Sequence, residues 1–167
     1  MKNIILALLV SFIFIGCNSN KALSASVEPK LVVSKSLADL RLNDQNEKSH
    51  TLSADTKTVV FAFSKDVGHK CNDFFATKKP SYLSDNKTVF VADISSAPSI
   101  IRSLFIKPGL KDFKHTVLII EDEAIASSYK SGMDKEKIIV VSLKNHTITA
   151  VKAIDLVQDL ASIIEAK

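Results

Sequence analysis

Four runs of the chain are almost wholly apolar and rich in β-branched residues: TVVFAF (Thr58 to Phe63), TVFVA (Thr88 to Ala92), TVLII (Thr116 to Ile120) and IIVVSL (Ile138 to Leu143). Their hydrophobicity is continuous, not alternating, and each run has strand length, so they predict central strands covered on both faces. Helices must do the covering. Candidates lie at about residues 71–83, interrupted near Pro80, at 98–106 ending at KPG, and in a short piece near 124–131. The last helix is clearest, because Ile154, Val157, Leu160, Ala161 and Ile164 recur at helical spacing with Asp155 and Gln158 placed as a capping pair. KNH (Lys144 to His146) reads as a turn before the alternating TITAV, which predicts a hairpin with an edge strand. Upstream, LRLNDQNEKSHTL (Leu40 to Leu52) predicts another hairpin with NDQNEK at its tip. The resulting order is β-hairpin, β, α, β, α, β, short α, β, β, α, an α/β domain with a mixed sheet and helices on both faces.

The N-terminus carries a different signal. Lys2 precedes Ile4 to Ile15, a run apolar except for Ser11. That is shorter than the roughly 20 residues a bilayer span needs and fits the apolar region of an export signal. The run ends in FIGCNSN, which resembles the bacterial lipobox: Ile15, Gly16 and Cys17 fit, while Phe14 replaces the usual leucine. The resemblance implies cleavage after residue 16, acylation of Cys17, and attachment through lipid to the membrane, since two or more acyl chains give stable anchoring. Residues 17–30, polar and small up to Pro29, read as a lipidated flexible tether. Residues 31–167 are then one domain, long enough for one core and not two. This predicts a periplasm-facing protein of the bacterial cell envelope, on the inner or outer membrane.

Removing residues 1–16 deletes Lys2 and lowers the formal charge from +4 to +3. The lysines are scattered among acids without an arginine-rich or aromatic-interleaved stripe, so no nucleic-acid partner is expected. The chain has two cysteines. With Cys17 taken by lipid, Cys71 is the single thiol of the processed domain, and an intramolecular disulfide is excluded. Cys71 follows the polar stretch SKDVGHK, read as a turn holding Gly68, and so is expected near a helix N-terminus, where dipole and free N–H groups favour thiolate.

The element order and several phrases resemble the thioredoxin-like superfamily, in its peroxiredoxin and periplasmic thiol-reductase branch. LRLNDQNEKSHTL resembles the family's opening hairpin, with Asn46 and Glu47 at its usual turn glycine. TKTVVFAF resembles the strand before the active-site turn, TVLIIEDEAIASSYKSG the strand, acidic turn and short helix, and IIVVSLKNHTIT the closing hairpin, with His146 where glycine is common. On this resemblance a Cys-x-x-Cys pair falls on Val67 and Lys70, and the cis-proline falls near Lys137. None of these residues is preserved, which implies loss of disulfide exchange. The peroxiredoxin signature, laid over SKDVGHKC, keeps only Cys71: Ser64 stands on its proline and Gly68 on its threonine. Neither Arg41 nor Arg102 stands at a matching position. Copper-carrying relatives need a second cysteine and a distant histidine, and Val67 and DKEK hold neither.

The residues leave three readings. The first is a domain with a degenerate active site that serves as a non-catalytic binding or accessory module, with a protein partner in the envelope and no cofactor. The second is a single-cysteine thiol peroxidase or mixed-disulfide protein with Cys71 as its catalytic thiol, activated by Lys70 and His69. The third is metal handling, for which His69 and Cys71 supply at most two ligands. His50, His115 and His146 have no acid or thiol in sequence reach, EDE (Glu121 to Glu123) reads as a solvated turn, and there is no nucleophile elbow or phosphate loop.

Overall fold

The computed structural model describes residues 27–166. The expected signal segment, Cys17 and most of the tether lie outside the described residues. The chain contributes strands β1 (Arg41–Asp44), β2 (Ser49–Thr51), β3 (Thr58–Ala62), β4 (Thr88–Asp93), β5 (Leu118–Ile120), β6 (Ile138–Lys144) and β7 (Thr147–Ile154). Its helices are α1 (Lys65–Ala76), α2 (Tyr82–Asp85), α3 (Ser99–Ile101), α4 (Lys107–Lys111), α5 (Glu123–Lys130) and α6 (Asp159–Glu165). The seven strands form one mixed sheet in the order β2-β1-β5-β4-β3-β6-β7, with β3, β4 and β5 parallel and their outer neighbours β6 and β1 antiparallel to them.

β3 is buried along its whole length because alternate residues feed two separate cores. Val59 and Phe61 face a core closed by Ala126 and Tyr129 of α5 and by Leu31, Leu37 and Leu40 of the N-terminal segment. Val60 and Ala62 face a second core closed by α1, α2, α4 and α6, whose anchors include Val67, Cys71, Phe75, Tyr82, Leu110 and Leu160. Removal of this apolar surface from water is the main stabilising term. The first described residues are tied to the domain: the Lys30 N–H donates to the Ser128 carbonyl at 2.9 Å, and Lys35 pairs with Glu28.

Three boundaries differ from the sequence expectation. α1 starts at Lys65, six residues early, because Ser64 (φ −130°, ψ 159°) caps it and its hydroxyl accepts from the Val67 N–H. The expected turn around Gly68 is therefore helix. The helix expected to stop at KPG continues to Lys111 through a π turn at Arg102–Ile106, placed just before Pro108, which cannot donate to the preceding turn. Ile154 and Asp155 do not open the last helix: Ile154 ends β7, and α6 starts at Asp159 without a side-chain cap. The hairpin turns match, and at both the chain is left-handed without glycine: Glu47 at φ 63°, Asn145 at 48° and His146 at 64°. Along the α3 to α4 segment, Ile100, Leu104 and Phe105 stay 60–66% exposed, with Ile101 beside them at 40%.

Candidate functional site

The end of β3 meets the start of α1 and the loop before β6. Here Ser64 caps the helix, and its hydroxyl lies 3.3 Å from Glu136 Oε2, to which it donates. The Ser64 oxygen accepts from the Val67 N–H at 3.4 Å, and Asp66 lies in the first helical turn. The position where a helix dipole would stabilise a thiolate is therefore held by a hydroxyl and faced by a carboxylate. The two positions onto which the resemblance puts a Cys-x-x-Cys pair, Val67 and Lys70, both lie inside α1. Val67 is buried in the core, and Lys70 is exposed. No peptide bond among the described residues is cis, so the bond before Lys137 is trans; Lys137 pairs with Asp155 at 3.2 Å.

Cys71 is the seventh residue of α1, two turns from its start, and its side chain is 0% exposed among Val67, Phe75 and the sheet. Burial pushes its thiol up to about 12, against a smaller opposing pull from Lys70. This corrects the expectation of a thiol near the helix N-terminus. His69 and Lys70 are both exposed and form no hydrogen bond with Cys71 among the described residues. Arg102 is engaged elsewhere, donating to the carbonyls of Ser95 (2.9 Å) and Ala97 (2.8 Å), and Arg41 is exposed on β1.

The acidic turn has structural roles. Glu121 pairs with Lys107 at 2.8 Å, Asp122 caps α5 by accepting from Ala124 and Ile125, and Glu123 accepts from Ser95 (2.7 Å) and Lys130 (2.8 Å). Among the described residues no three histidine, cysteine, aspartate or glutamate side chains converge as metal ligands.

Three histidines have polar partners that sequence reasoning missed, the simplest being His146, whose Nε2 lies 3.1 Å from the Leu52 carbonyl oxygen. His50 Nε2 lies 2.7 Å from Asp44 Oδ2 across the first hairpin. Burial raises the Asp44 carboxyl, but hydrogen bonds from His50 and from the Lys48 and Asn46 N–H groups outweigh it and hold the group below its ordinary value. The six-residue spacing across a hairpin tip was the signal available. His115, only 3% exposed, lies beside β5 with Nε2 3.0 Å from Asn72 Oδ1 on α1, and Gln45 binds both the His115 carbonyl and the Val117 N–H. Burial pulls the His115 imidazole below its ordinary value. Nothing local marks this pair, whose members are 43 residues apart.

No protein-family model matches this chain, and no curated protein matches it in sequence. Solved structures do. A protein of Bacteroides vulgatus assigned as a thiol-disulfide oxidoreductase superposes with a TM-score of 0.54 at 15% identity, covering 82% of this chain and 97% of that one. The mitochondrial 2-Cys peroxiredoxin of Plasmodium falciparum gives 0.51 at 12% identity, with 81% and 93% covered. The exposed lipoprotein thioredoxin of Streptococcus pneumoniae gives 0.50 at 12% identity, with 77% and 98% covered. Identity this low speaks to fold alone. The chain has the thioredoxin-like fold shared by peroxiredoxins and thiol-disulfide oxidoreductases, a mixed sheet between two layers of covering chain.

Proposed function

We propose that this chain is a lipid-anchored protein of the bacterial cell envelope whose thioredoxin-like domain holds a protein partner and does not turn over thiols or peroxides. One observation carries the non-catalytic reading: the only thiol of the domain is sealed in the core at Cys71, its proton held by burial, while Ser64 and Glu136 occupy the helix start. A nucleophile needs thiolate and access, and Cys71 has neither. The contiguous exposed side chains Ile100, Ile101, Leu104 and Phe105 support the binding role, because a monomeric surface rarely carries such a patch without use. The anchor rests on the FIGC sequence and Cys17, which would be acylated and would place the domain on the periplasmic side of the inner or outer membrane.

Peroxide consumption and disulfide reduction by the full chain test the first part. The expected result is no turnover above that of Cys71→Ser. Turnover at enzymatic speed that disappears in Cys71→Ser would establish the single-cysteine peroxidase instead. Incorporation of an alkyne-tagged fatty acid tests the second part, and it is expected to vanish in Cys17→Ser.

A further inference from the structure

We infer that the outer face of the 27–37 segment rests on the lipid bilayer, so that the α3 to α4 patch is presented to its partner from the far side of the domain. The inference rests on the anchoring at Cys17 proposed above. Val27, the first described residue, lies ten residues after Cys17. At no more than ~3.6 Å per residue, that length keeps Val27 within about 35 Å of the anchor point. A domain of this size has a radius of gyration of about 14 Å, hence a width of roughly 37 Å. The face that carries Val27 is therefore the one the tether holds nearest the lipid, and the opposite face is the last that can reach it.

The 27–37 segment is a strap across the domain. Leu31 and Leu37 sink into the first core, and the Lys30 N–H donates to the Ser128 carbonyl of α5. Between the two leucines, the Lys35 N–H donates to the Val32 carbonyl at 3.0 Å and closes a turn that leaves Val32 and Val33 outside. Val27, Val32, Val33 and Ile125, which stands one helical turn before Ser128, are 41–53% exposed. Lys30 pairs with Asp39 and Lys35 with Glu28, so these four side chains bring no net charge to the headgroups. The contact is apolar, of the kind that sinks into the boundary between headgroups and acyl chains. Four aliphatic side chains would not hold a free domain on a membrane; on an anchored one the contact is intramolecular and needs little affinity. Ile106 and Leu110 pack on the second core, so the α3 to α4 segment belongs to the layer across the sheet from the strap. Contact through the strap thus leaves Ile100, Leu104 and Phe105 clear of lipid.

The test uses the acylated full chain in phosphatidylcholine nanodiscs doped with a gadolinium-chelate lipid, and reads paramagnetic broadening of isoleucine, leucine and valine methyl signals. Val32, Val33 and Ile125 are expected to broaden severalfold more than Ile100 and Leu104. When Val32→Ser and Val33→Ser are combined, both at exposed positions, the Ile125 signal should sharpen toward that of Ile100. Equal broadening on the two faces, greater broadening at Ile100 and Leu104, or an Ile125 signal unmoved by the double substitution overturns the inference while the anchor stands. A chain that does not co-migrate with the nanodiscs overturns the anchor as well. Neither outcome bears on the non-catalytic reading of Cys71.

Discussion

The first turn of α1 and the turns below it have opposite characters. At Ser64 the helix start is half-buried, polar and within reach of Glu136; at Cys71, Asn72 and Phe75 every side chain is closed off by the sheet and by neighbouring aromatic rings. The separation is only about 10 Å, seven residues at a helical rise of about 1.5 Å each. Thiol chemistry follows from position along the helix more than from the presence of sulfur: the dipole acts within the first turn, and desolvation governs below it. This domain keeps its sulfur where desolvation governs.

The largest expected effect is the protection of Cys71. A thiol at about 12, against an ordinary 9.0, has about a thousandfold less thiolate near neutrality. Iodoacetamide at mild alkaline pH should leave the folded chain unlabelled and label it in urea; equal labelling in both states would erase the contrast. The comparison sharpens in Ser64→Cys, which moves a thiol to the helix start. That cysteine should react about a hundredfold faster than Cys71 in the native protein, read by peptide mapping. Adding Glu136→Gln should speed it further by removing the facing carboxylate.

Ser64→Ala should cost about 1 kcal/mol in urea unfolding, the usual scale of a lost N-cap; no loss would mean that the long 3.4 Å contact to Val67 is not a cap. The pH response belongs to the sealed turns. Because His115 sits below its ordinary 6.5 when folded, the unfolded chain binds its proton more readily. Stability from the neutral form is thus intact above about pH 6.5 and declines as pH falls below it toward the native value. The urea midpoint should drop on acidification, and His115→Gln should flatten that part of the profile.

The strands were legible because burial on both faces leaves no polar alternation to read, and the runs at Thr58, Thr88 and Ile138 became β3, β4 and β6. The start of α1 was misread because its exposed face is polar and includes Gly68, a poor helix former by about 1 kcal/mol against alanine. The corrective signal was present: Val67, Cys71 and Phe75 repeat every four residues and are the three apolar anchors of α1 in its core. Reading them as a helical stripe would have placed Cys71 inside the helix, and Ser64 at its cap. The π turn before Pro108 had no such signal, since proline ordinarily ends a helix.

By itself the sequence determined the sheet, the two-sided covering, the number of thiols and the missing thiol pair, all of which depend on residue type and local periodicity. Only the tertiary structure decided that Cys71 is sealed, that Glu136 faces the helix start across 72 residues of chain, and that His115 meets Asn72. Burial and pairing across such separations arise from how the layers close on the sheet, and desolvation, the effect that sets the states of both Cys71 and His115, exists only once they have closed.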